Sequence, residues 1–124
     1  MNSKTMLTLC AAYNLVVGLM LYFMAEGIAL QTGVDTAGLN AAIGGNMNTG
    51  TAFLAIGILT FTFRDVQGMN AKKGLIGWGI GGSIILLELL YRMTTNEGFN
   101  PPMYFLISGA LLIALAFFSV SKIE

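Results

Sequence analysis

Between Gly74 and Met93 the chain reads GLIGWGIGGSIILLELLYRM. As a helix rising 1.5 Å per residue, an apolar run of about twenty residues is long enough to cross a bilayer. At 100° per residue, Gly74, Gly77, Gly81, Ile85, Glu88 and Arg92 share one face. Small residues on a membrane helix let a second backbone come close, so Gly74, Gly77 and Gly81 are expected to carry tight helix contacts. These contacts can be made within one chain or between chains. The same face holds a carboxylate inside the apolar run. Because a charge in hydrocarbon is costly, Glu88 is expected to point into protein, with Arg92 one turn on as its partner. Glu88 lies only about 7 Å from the end of the run, so its depth is modest.

The totals agree with a bilayer as solvent. The chain is 56% hydrophobic and only 10% charged, against about 25% charged in a soluble domain. The short length implies one domain, residues 1–124. Net charge is zero and no basic run is available to neutralise phosphates, so no nucleic-acid partner is expected. The chain has no histidine and one cysteine. That excludes zinc sites built on Cys and His, histidine-ligated haem, Ser-His-Asp triads and an internal disulfide. No metal and no cofactor are expected, and nothing activates a nucleophile, so an enzyme is the weakest reading. Cys10 follows Leu9, where a lipidated signal cysteine needs a small residue, and reads as a core residue.

Taken in order, the apolar runs predict an all-α chain with four transmembrane helices, at about residues 6–25, 46–63, 74–93 and 102–120. The loops are short apart from the first. The first span places Ala11, Asn14, Gly18 and Ala25 on one side, a small-residue face with one amide in it. Residues 26–45 are too apolar for free solution and are expected to lie on the membrane surface as an outer loop, with a short helix around residues 36–43. The second span opens on Asn46, Asn48, Thr49 and Thr51, and Asn46, Gly50, Phe53 and Gly57 share a face. Its polar first turns need shielding by protein or water. Asn100-Pro101-Pro102 is a start signal for the fourth span. Trp78 and Tyr91 read as interface anchors.

Lys4, Arg64, Lys72, Lys73 and Lys122 fall on one side of a four-span layout and Arg92 on the other. The positive-inside rule then places both termini in the cytoplasm and loops 26–45 and 94–100 outside. Glu26, Asn46, Asn48, Glu88, Arg92 and Glu97 gather at the outer end.

The runs NMNTGTAFLAIG and ELLYRM, with the PP start of the last span, resemble domain of unknown function 4345, a family of small bacterial four-helix membrane proteins. The resemblance implies a bacterial cytoplasmic membrane and carries no established activity. The family tends to open its second helix on a basic residue and to hold an acidic one in its fourth. Here Asn46 and either Ser108 or Gly109 stand at those positions, and Arg92 matches a charged one.

Two functions follow. The first is a non-enzymatic structural or accessory protein whose small-residue faces, at Gly18, Gly50, Gly57, Gly74, Gly77 and Gly81, pack helices. Its partners are membrane lipids and either copies of itself or a larger membrane complex. The second is small-molecule, lipid or ion binding or transport, with Asn14, Asn46, Glu88 and Arg92 lining an outer-side site.

Overall fold

A computed structural model describes residues 2–96 and 99–123. Among these residues the chain is all-α, with α1 Ser3–Phe23, α2 Ala25–Gln31, α3 Leu39–Thr62, α4 Gly68–Thr95 and α5 Met103–Val120. Asn2 caps α1, its side-chain oxygen accepting from the Thr5 amide at 2.8 Å.

Three helices, α1, α4 and α5, are long and apolar enough to cross a membrane, rather than the four expected. The difference is α3. At about 1.5 Å per residue its 24 residues reach roughly 36 Å, but Asn46, Asn48, Thr49 and Thr51 dilute its hydropathy. The boundaries also shift. The short helix of the first connection lies at Ala25–Gln31 instead of around residues 36–43, and residues 39–45 already belong to α3. Gly33, at φ 84, ends α2. The Gly33 amide donates to the Leu30 carbonyl and the Val34 amide to the Ala29 carbonyl, the paired bonds of a glycine-terminated helix. Asp35 then accepts from the Gly38 amide at 2.8 Å, turning the chain into α3.

The long helices pack as two antiparallel pairs. In the α1–α3 pair, Gly18 lies against Gly50, and Leu15 fills the notch at Gly57. In the α4–α5 pair, the Phe117 ring covers Gly79 and Ile113 covers Gly82. Met6, Leu7 and Cys10 of α1, Ala71 and Leu75 of α4, and Leu112 and Ala116 of α5 form a buried cluster that joins the pairs. Trp78 packs against this cluster. By contrast, α3 and α4, consecutive in the chain, share no pair of Cα atoms within 8 Å among the described residues. α1 therefore packs against α3 on one side and against both α4 and α5 on the other, which leaves a gap between α3 and α4.

Candidate functional site

The expected face of the first span is the buried one: Ala11, Asn14 and Gly18 of α1 and Ala25 at the start of α2 all lie inside. Gly50 and Gly57 of α3 are buried against it. The expected face of α4 is reversed. Gly74, Gly77, Gly81, Ile85, Glu88 and Arg92 are all exposed, and a β-carbon added at any of the three glycines would meet no atom within 4 Å. The packed face of α4 instead carries Ala71, Leu75 and Gly79. A helix that is apolar nearly all round gives periodicity little to choose between, and glycines stand on both sides of it. The signal for the true face was the offset pair Gly79 and Gly82, each met by a large α5 side chain.

Of the four polar residues proposed to share an outer site, only Glu88 and Arg92 meet. Asn46 is half-buried and donates from Nδ2 to the Ala25 carbonyl at 3.0 Å, fastening α3 to the start of α2. Glu88 and Arg92 pair with each other on α4. They do not point into protein: their side chains are 47% and 54% exposed. Asn14 is 3% exposed, and its Nδ2 finds no hydrogen-bond partner. It lies nine residues before the end of α1 at Phe23, roughly 14 Å along the helix axis. Glu97 of the expected outer cluster lies outside the described residues.

At the opposite end the ends of the long helices are tied together. Lys4 Nζ lies 2.6 Å from Asp65 Oδ1, joining the start of α1 to the α3–α4 turn. Lys72 donates to the Ile123 carbonyl at 3.4 Å, joining the start of α4 to the tail after α5. Lys4, Arg64, Lys72, Lys73 and Lys122 thus share one end. The Lys4 ammonium hydrogen-bonds Asp65 and holds its carboxyl below the usual carboxylate range. Arg64 lies over the Phe61 ring at 3.8 Å and donates to the Phe61 carbonyl; Lys122 lies over the Phe118 ring.

Two apolar grooves open between the helices. One, of about 460 Å³, lies at the basic end where the C-terminal turns of α3 face the first turns of α4 across Leu7. The other, of about 440 Å³, runs between α1 and α5 beside Tyr13 and Ser108. Tyr13 closes part of it by hydrogen-bonding to the Phe105 carbonyl and Ser108 Oγ, both at 3.3 Å. Neither groove is lined by Asn14, Asn46, Glu88 or Arg92. Among the described residues no group of three or more His, Cys, Asp or Glu side chains is placed to hold a metal ion.

Comparison with protein-family models, curated proteins and solved structures finds no match for this chain.

Proposed function

We propose that this chain is a small integral membrane protein with a structural or accessory role, working through helix contacts rather than chemistry. One observation carries the reading: the polar groups that could form an outer binding site are dispersed, and most are spent on the fold. Asn46 holds the α2–α3 corner, and Glu88 is closed on Arg92. A transporter would need them free and facing a common cavity.

The reading includes α3 as a fourth span. Its Thr49, Thr51, Thr60 and Thr62 hydroxyls donate to carbonyls one turn back, which lowers the cost of carrying them through hydrocarbon. Four crossings put both termini on one side, and the cluster of basic residues at that end makes it the cytoplasmic side of a bacterial membrane. Family membership with domain of unknown function 4345 is part of the same proposal and adds no activity to it. The exposed α4 face, with its glycines, is the surface offered to another copy or a larger complex.

Cross-linking in isolated membranes, followed by native mass spectrometry in a gentle detergent, tests this. A fixed multimer or a stoichiometric complex is the expected result. A monomer that retains a small polar ligand would overturn it.

A further inference from the structure

The groove at the basic end has a floor and two walls but no occupant within the chain. Leu7 forms its floor, Leu59 and Phe63 one wall, and Ala71, Gly74 and Trp78 the other. Its only polar lining side chains are Thr60 and Asn70, and the Thr60 hydroxyl already donates to the Ile56 carbonyl. Its volume, about 460 Å³, falls within the range of about 300–1,000 Å³ that holds small ligands.

Length decides between occupants. Along α4 the groove runs from Asn70 to Trp78, roughly 12 Å at 1.5 Å per residue. A spanning helix of a partner or a second copy needs a seat about 30 Å long. An acyl chain does not, and it can enter from the side that α3 and α4 leave open.

Charge selects the kind of lipid. Arg64 follows the wall residue Phe63, and Lys73 flanks Asn70 and Gly74 on the helix surface. Of the carboxylates at this end, Asp65 is taken by Lys4. Arg64 and Lys73 form no salt bridge among the described residues. A cation near an anionic leaflet strengthens binding by about fivefold. Neither Arg64 nor Lys73 lines the groove itself. We propose that this groove holds one acyl chain of an anionic phospholipid, with the headgroup phosphate at its mouth met by Lys73 and by Arg64, which exchanges its neutral contact with the Phe61 ring and carbonyl for the phosphate. The proposal rests on the membrane reading above and adds a specific lipid site to it.

Trp78 is the chain's only tryptophan and lines the groove, so its fluorescence reports occupancy. The protein is reconstituted into phosphatidylcholine vesicles containing a few mole per cent of lipid with brominated acyl chains, either phosphatidylglycerol or phosphatidylcholine. Brominated phosphatidylglycerol should quench Trp78 at a mole fraction at least tenfold lower than brominated phosphatidylcholine. Lys73→Gln and Arg64→Gln should each reduce that preference by about fivefold. Gly74→Leu has open space to grow into and should fill the groove, reducing quenching by both lipids. Equal quenching by the two lipids in the wild-type protein would overturn the proposal alone. So would a preference that survives both Gln substitutions, or a dimer that Gly74→Leu dissociates while quenching stays the same. Failure of the protein to enter vesicles would instead overturn the membrane reading, and this site with it.

Discussion

Gly18 and Gly50 cross backbone against backbone. A β-carbon on Gly18 would lie 2.8 Å from the Gly50 carbonyl oxygen, and one on Gly50 would lie 2.7 Å from the Gly18 carbonyl oxygen. No flexible side chain stands between them to give way, so even one methyl group must push α1 and α3 apart. Alanine is intrinsically better than glycine in a helix by about 1 kcal/mol. The clash outweighs that gain: Gly18→Ala or Gly50→Ala should lower stability by about 1–3 kcal/mol. Thermal unfolding in detergent measures it, and a variant as stable as wild type would mean that α1 and α3 do not cross here.

Gly77 and Gly81 should behave oppositely. With no atom within 4 Å of either added β-carbon, only the helix preference remains. Gly77→Ala should raise stability by about 0.5–1 kcal/mol. Gly81→Leu should leave monomer stability near wild type but weaken any oligomer that seats on this face. Thermal unfolding and native mass spectrometry, run on the same samples, separate the two effects. A destabilised monomer would place a neighbouring helix of the same chain against Gly81.

The contrast between these glycines marks how far the sequence could be read. The small-residue faces of α1 and α3 were legible because each has one polar anchor, Asn14 or Asn46, to mark the inside. Glu88 was a misleading anchor for α4: the rule that charges turn inward applies at the bilayer centre, and Glu88 sits near a helix end. There an ion pair can face headgroups. The corner at α2 was hidden for a different reason. It depends on the long-range Asn46–Ala25 bond and on Gly33, whose helix-ending role is one of several a glycine in a polar stretch can play. The groove beside Trp78 had no sequence signal, since it arises from two helices that fail to touch.

The Lys4–Asp65 pair predicts an acid-sensitive clamp. The folded Asp65 carboxyl titrates below its ordinary value because Lys4 hydrogen-bonds it. A depressed carboxylate contributes stability that is present above the unfolded value, about 3.9. That stability is lost as pH falls through the folded value. The melting temperature of wild type should therefore exceed that of Lys4→Gln at neutral pH, and the gap should close in acid below about pH 4. Asp65→Asn should abolish the pH dependence of the gap. A gap that persists in acid would assign the effect of Lys4 to something other than this pair.

Orientation can be read with one cysteine. The native Cys10 is fully buried, so it gives little background. Lys122→Cys places a thiol at the exposed tail, on the end that carries the basic residues. In intact cells it should resist a membrane-impermeant maleimide and react once the membrane is permeabilised. Ready labelling before permeabilisation would put the C-terminal tail outside.

Glu88 and Arg92 report whether the exposed face of α4 is covered. As they stand, both side chains are about half exposed. An exposed pair one helical turn apart is worth about 0.3–0.5 kcal/mol. Removing one partner of a buried pair costs about 3–5 kcal/mol, because the other charge is left stranded. A double-mutant cycle with Glu88→Gln, Arg92→Gln and both together isolates the coupling. For the monomer in detergent the coupling should stay below about 1 kcal/mol. If a second copy or a larger complex seats on this face, the same cycle in native membranes should give a larger value, since water is then excluded from the pair. Equal, small coupling in both settings would leave the α4 face uncovered in the membrane, and the assembly role proposed for it would fall.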